Sequence, residues 1–286
     1  MSESKCPKCD ALVNWDMERC PRCRFDVGPP NVRLVAVAAE KTALQQRYQA
    51  MLDDLRGRGV EPVAVQFEKA VRENSRAAVN VWPDFLWQLL NDRRTLYAGY
   101  QLLVDHGVRK AATFRADSHR RAVDDILFGG TAAAIVFGVV SLDGKGLVSY
   151  GCVTLILAEQ TAASSATCLE RNSYQFVRQH RIVPGDEIPA GYRCGWSDRG
   201  LLTIAKLGGK LRPDTRAAEF PDLLLHSDGD RDTDEFVEVH LFGSFDWQAV
   251  EQIVIHGGSS LDADARQRLN NARDLAENMG VKWSER

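Results

Sequence analysis

Two short cysteine pairs constrain this chain more than any other feature. CPKC (Cys6–Cys9) and CPRC (Cys20–Cys23) are separated by ten residues. Each C-x-x-C makes a tight turn that aims two thiolates at one tetrahedral ion, and two such knuckles complete a four-cysteine site. With every position filled by protein, the expected ion is structural zinc, with no open place for catalysis. A disulfide arrangement is the alternative, and it belongs to oxidising compartments. So short a segment holds no core of its own, so zinc should supply its folding energy. The expected ribbon spans residues 1–30 and ends at GPPN (Gly28–Asn31). Lys5, Lys8, Arg19, Arg22 and Arg24 flank the knuckles, a set that suits nucleic-acid phosphates or a protein partner equally.

The rest of the 286 residues is long enough for a sizeable core. Apolar residues make up 44% and charged residues 26%, an ordinary globular balance. A net charge of −3 gives no global attraction to nucleic acid or anionic membrane. The longest apolar run, Thr131–Leu142, is too short to span a bilayer, and the first residues carry no apolar signal core. Cys152, Cys168 and Cys194 are scattered singly, as thiols of a reducing compartment would be. A cytoplasmic protein with no membrane partner is expected.

Residues 31–114 read as a helical region. Leu44, Tyr48, Met51 and Leu55 are spaced 4-3-4 within a helix from Val32 to about Arg58, too short a stripe for a coiled coil. Helices are expected over Val63–Ala77, from Trp82 towards Gly107, and from Asp117 or Ser118 to Gly129. Residues 115–286 turn β-rich. AAIVFGVVSL and GLVSYGCVTLIL, joined by DGK, read as a hairpin. LLTIAKL, DLLLH, FVEVHLF and VEQIVIH read as further strands, and the last helix runs from the N-cap Asp262 to Gly280. The expected class is α+β on antiparallel strands. Strands and helices do not alternate in βαβ fashion, and neither a GxGxxG nor a Walker A motif occurs.

The stretch DEFVEVHLFGSF (Asp234–Phe245) carries the chemistry. In a strand, Val237, Val239 and Leu241 form one apolar face, while Phe236, Glu238, His240 and Phe242 share the other. A carboxylate between phenylalanines is either tied to a partner or set in a cleft for a purpose. One reading pairs Glu238 and His240 with Asp222, as in metal-dependent nucleases, although His240 stands where a lysine would activate water. Another is a zinc-ribbon binding protein without catalysis, in which Glu238 and His240 pair with arginines and hold the sheet. The acidic loop Ser227–Glu235 lacks the glycine and glutamate of a calcium loop and reads as a turn. Tyr192, Trp196 and Arg199 line a pocket or cap a sheet, Arg171, Asn172 and Ser173 bind a ligand or form a turn, and His180 and His226 lack metal-ligand spacing to each other.

IVFGVVSL, SYGCVTLIL, SATCLERNS and FVEVHLFGSFDWQAVEQIVI, in that order, resemble the core of bacterial ADP-ribosyltransferase-like effector domains, over roughly Arg115–Ile255. The resemblance implies a split antiparallel sheet that binds NAD without a Rossmann motif. It implies that Glu238 hydrogen-bonds the nicotinamide ribose and stabilises an oxocarbenium ion, with His240 orienting it or the acceptor. Tyr150 would stack on the nicotinamide and Ser173 would contact NAD. LYAGY (Leu96–Tyr100) looks like the strand that carries the family's Arg or His anchor, but has Ala98 in that place, so Arg120 or Arg121 would substitute. The implied role is transfer or hydrolysis of NAD by an intracellular toxin or phage-defence effector. The acceptor, protein or nucleic acid or small molecule, stays open.

Overall fold

The computed structural model describes residues 4–6, 8–14, 17–107, 119–228, 230–231, 233–257 and 261–286. The expected N-cap at Asp117 or Ser118 lies outside them. A two-stranded hairpin, β1 (Ser4–Lys5) and β2 (Leu12–Val13), carries the first cysteine knuckle, and the bridge between Arg19 and Asp26 encloses the second. Pro30 then starts α1 (Pro30–Val35), the position where a missing N–H costs a helix nothing. Two longer helices follow, α2 (Ala38–Gly57) and α3 (Glu61–Asn74). Leu44 and Leu55 of the 4-3-4 stripe are buried, and α2 packs on the body of the protein as expected.

Next in the chain come β3 (Arg76–Val81), α4 (Pro83–Asn91), α5 (Tyr100–Asp105) and α6 (Arg120–Phe128). They lead to β4 (Ile135–Ser141), β5 (Val153–Leu157), α7 (Glu159–Ser165), β6 (Ala166–Leu169), α8 (Ser173–His180), β7 (Arg193–Gly195) and α9 (Arg199–Leu207). The last elements are α10 (Phe220–Leu224), β8 (Glu238–Phe242), β9 (Val250–Ile255), α11 (Ala263–Asn278) and β10 (Lys282–Glu285). Eight strands form one sheet in the order β10-β9-β5-β3-β4-β8-β6-β7, antiparallel except for β9–β10. The fold is therefore mixed α+β. No helix among the described residues is long and apolar enough to cross a membrane.

Several expectations change. Arg76–Ala77 is not the end of a helix: RAAVNV is a central strand, and β3 separates the two strands expected to form a hairpin through DGK. A strand buried on both faces shows no alternation to read. LLTIAKL is helical in α9, whose nearly all-round burial hides the 3.6-residue period, and DLLLH is mostly the helix α10. The helix from Trp82 divides into α4 and α5, with Tyr97 bridged to Phe245 between them. The chain closes on one βαβ unit, β9-α11-β10, where none was expected. Its helix has the expected ends: Asp262 accepts from the Ala265 amide, and Gly280 follows with φ +76°.

One face of the sheet packs the main core, with Val237, just before β8, and Val239 and Leu241 within it all buried there. The other face carries two smaller clusters, one around Phe128, Ile135, Leu169 and Phe176, the other around Ala78, Val139, Leu147 and Phe236. Between those clusters the sheet opens. The β3–β4 ladder ends at Ala78–Val139, and β3 continues to Val81 paired with β5 alone.

Candidate functional site

The opening is a cleft of about 630 Å³. Its floor is made by Ala78 and Asn80 of β3 and Phe137 and Val139 of β4. Asn80 fixes one wall. Its Oδ1 accepts from the Leu147 amide at 2.7 Å, and its Nδ2 donates to Gly151 O at 2.9 Å and Thr154 Oγ1 at 3.1 Å. A Cβ on Gly146 would run into that Oδ1, so the loop lies this close only because residue 146 is glycine. The wall presents Tyr150, with the Arg231 guanidinium 4.1 Å from its ring centroid and donating to Ser149 O at 2.8 Å. Opposite stand Arg120 and Asp124 of α6 and the N-terminus of α8.

Glu238 sits at the back, 5% exposed and lining the cleft. Its Oε2 accepts from the Ser173 amide at 2.8 Å and from Ser173 Oγ, and His240 Nε2 lies 2.9 Å away. A carboxylate only accepts, so Nε2 is assigned the proton. The Ser173 amide is available because Asn172, the N-cap of α8, satisfies the Tyr174 and Gln175 amides instead. Burying the carboxylate is thus offset by three donors and the positive end of a helix. Oε1 accepts no hydrogen bond among the described residues. The carboxylate is held by one oxygen and offers the other.

The structure brings Glu238, Tyr150, Arg120 and Ser173 to one cleft. His240 is not among its lining residues. It stands behind Glu238, 4% exposed, with its ring against Phe128 and Phe137. Arg121 points away and is exposed. Arg120 has its guanidinium carbon 4.8 Å from the Tyr100 ring centroid and 4.3 Å from that of Phe137, and Ala98 of LYAGY lines the same cleft. Arg171 and Asn172 also line it, whereas Tyr192, Trp196 and Arg199 do not: Tyr192 packs against Phe176 and His180, and Trp196 and Arg199 are buried against each other. Asp222 does not join Glu238 and His240. It is on α10, its side chain 70% exposed and paired with Lys145 at 3.0 Å.

Sequence reasoning missed Asp124, Asn80, Arg178 and Arg231 as lining residues. Only Arg120 and Asp124, spaced i, i+4 on α6, carried a local signal, an ion pair at 3.5 Å. Burial pushes the Asp124 carboxyl up to about 7, with Arg120 opposing and Glu238 adding to the rise. Among the described residues the cleft therefore holds two acids, Asp124 and Glu238, against four arginines, 120, 171, 178 and 231.

The knuckles form a second centre. The Cys6 and Cys20 amides donate to Ala11 O and Phe25 O, and the Asp10 and Arg24 amides return to Cys6 O and Cys20 O, all at 2.9 Å. Asp10 and Arg24 both take positive φ, 55° and 60°, so the two turns repeat one geometry. Cys6–Cys23 and Cys9–Cys20 Sγ atoms are 3.7 and 3.6 Å apart, and all four Sγ lie within 4.8 Å of one another. Four sulfurs at ~2.3 Å from one tetrahedral ion would be about 3.8 Å apart, so the set fits a metal. No other such group of three or more possible ligands exists among the described residues. Cys168 and Cys194, expected to be solitary, face each other across β6 and β7.

The hairpin is seated on the sheet through α1. Asn31, 2% exposed, donates through Nδ2 to Ser165 O and to His240 O, both at 2.9 Å, and Arg33 Nη2 reaches back to Asn14 O at 3.2 Å.

No protein-family model matches the chain, and no curated protein matches it.

Proposed function

We propose that this chain consumes NAD, as an ADP-ribosyltransferase or an NAD glycohydrolase. The observation that carries the reading is the one-sided hold on Glu238: Oε2 is bound by Ser173 and His240, and the carboxylate lines a cleft it shares with Arg120 and Tyr150. Breaking the ribose–nicotinamide bond develops a cation at the ribose carbon. A preoriented carboxylate in a largely dry site stabilises that charge far more than it could in water. Phe137 and Phe236 supply the dry lining, the arginines suit the diphosphate, and Tyr150 offers a face for the nicotinamide. His240 acts from behind, by orienting Glu238. The sheet that opens between β3 and β4 is in keeping with the split sheet of the resembling effector domains, as is the role of toxin or defence effector in the cytoplasm, where free thiols persist. The acceptor is left open by this reading.

The four cysteines would hold zinc as a structural ion, with every coordination place taken by the chain. The ribbon then serves folding and the contact with a nucleic-acid or protein partner. Elemental analysis should find about one zinc per chain. The enzymatic reading is tested by incubating the protein with radiolabelled NAD and cell extract: label transfer or nicotinamide release is expected. Absence of both, with the protein folded and zinc-loaded, returns the chain to the class of zinc-ribbon binding proteins.

A further inference from the structure

Asp124 is the second acid of the cleft, and the reading above gives it no task. It is 7% exposed, lines the cleft, and is paired with Arg120 one helical turn before it. Asp125 beside it on α6 is exposed. Facing Asp124 from other elements are Glu238 on β8, with His240 behind it, and the cleft arginines Arg171, Arg178 and Arg231. Glu238 is already committed: Oε2 accepts three donors, and the free Oε1 with its negative charge is what stabilises the ribosyl cation. An acceptor that keeps its proton until attack therefore needs another base. Guanidinium and ammonium acceptors are disfavoured by the four arginines, and a carboxylate acceptor needs no base at all.

We propose that Asp124 is the general base for a hydroxyl acceptor, water being the simplest, while Glu238 stabilises the ribosyl cation; this rests on the NAD reading. The bond from the ribose anomeric carbon to nicotinamide breaks, its electron pair leaving with neutral nicotinamide. A lone pair of the hydroxyl oxygen forms the new carbon–oxygen bond, and the hydroxyl proton passes to the Asp124 carboxylate and then to solvent. NAD and an alcohol thus give an ADP-ribosyl ether, nicotinamide and one proton. Burial lifts the Asp124 carboxyl to about 7, which leaves it a base of useful strength at neutral pH.

The test uses the full chain with NAD, with and without methanol, from about pH 5.5 to about 9 across the range where such a base titrates. Nicotinamide and methyl-ADP-ribose are measured, and NAD binding is titrated separately. Methyl-ADP-ribose should form, and nicotinamide release should rise with pH through a limb near 7. Asp124→Asn should bind NAD as before, release nicotinamide at least ~10²-fold more slowly at alkaline pH, and lose that limb. Asp124→Glu should recover part of the rate with the limb displaced. A purely structural Asp124 would leave the limb in place in both variants, and that result overturns the proposal. Agmatine modified in preference to methanol overturns the hydroxyl class. If Asp124→Asn does not fold, an undisplaced limb in Asp124→Glu is equally decisive. Wild-type protein that neither binds nor turns over NAD removes the parent reading and this one with it; turnover with an Asp124-independent limb removes only this one.

Discussion

Two buried glutamates, one in each half of the molecule, have opposite surroundings. Glu40 on α2 is 3% exposed and uses both oxygens: Oε1 accepts from Arg193 Nε at 2.5 Å and Oε2 from the Gly191 amide at 2.8 Å. Glu238 is as buried, yet all three of its donors crowd one oxygen. The arginines repeat the contrast. Arg199, 2% exposed, gives hydrogen bonds to Ser75 Oγ, Trp196 O, Arg72 O and Glu159 and stacks on Trp196. Arg171 lines the cleft with Nε buried and unpaired among the described residues. Burial of charge alone does not mark a site. What marks it is burial with hydrogen-bonding capacity left over, on the side that faces an opening.

The sharpest way to break the comparison is to neutralise both glutamates. Glu238→Gln should lower NAD turnover by at least ~10² with little change in melting temperature. Glu40→Gln should reverse the pattern, destabilising by roughly 3–5 kcal/mol as Arg193 loses its partner, with turnover following the folded fraction. Thermal melts beside nicotinamide-release assays decide, and equal behaviour of the two variants would erase the distinction.

The arginines give the next test. Arg199→Met strands the acceptors of a buried cation and should cost about 3–5 kcal/mol in urea unfolding. Arg120→Met strands the buried Asp124, but a carboxyl already raised to about 7 can keep its proton instead of standing charged and unpaired. The cost should therefore stay below about 2 kcal/mol while KM for NAD rises about tenfold or more. A destabilised Arg120→Met with normal KM would make Arg120 a structural residue like Arg199.

The smallest effect sharpens the contrast through pH. Folding raises the Asp124 carboxyl to about 7 from the usual carboxylate range. The folded chain therefore keeps a proton that the unfolded chain has released. The stability linked to that proton is complete below about pH 4 and is lost as pH rises through about 7. Asp124→Asn cannot titrate, so its unfolding free energy should gain on the wild type from pH 5 to pH 8, by at most about 2.7 kcal/mol, since about two units of the shift fall in that range. A constant difference across that range would place Asp124 in the ordinary carboxylate range.

How much could be read from the chain itself follows the same line. The alternation in FVEVHLF put Glu238 and His240 on one face, and the two knuckles announced their ligands, because both signals are local and periodic. The central strand RAAVNV and the helix LLTIAKL were misread because elements surrounded by protein lose the polar face that reveals their period. Asp124 showed only its i, i+4 spacing to Arg120, and not its place in the cleft, for another reason. Its place opposite Glu238 depends on α6 packing beside α8 over the gap between β3 and β4, and no spacing along the chain encodes that.

Asn31 closes the account of the two modules. In sequence it is the last letter of a linker, where one would cut to exchange the ribbon for another. In space its amide bridges the carbonyls of Ser165 and His240, and so reaches the strand that carries Glu238. A joint that leaves these contacts intact therefore falls before this residue. A swap joined at residue 30 keeps the anchor with the sheet and crosses the contact of Arg33 with Asn14 O. One joined a few residues later would remove the Asn31 amide and leave the Ser165 and His240 carbonyls without it, beneath the strand that carries Glu238.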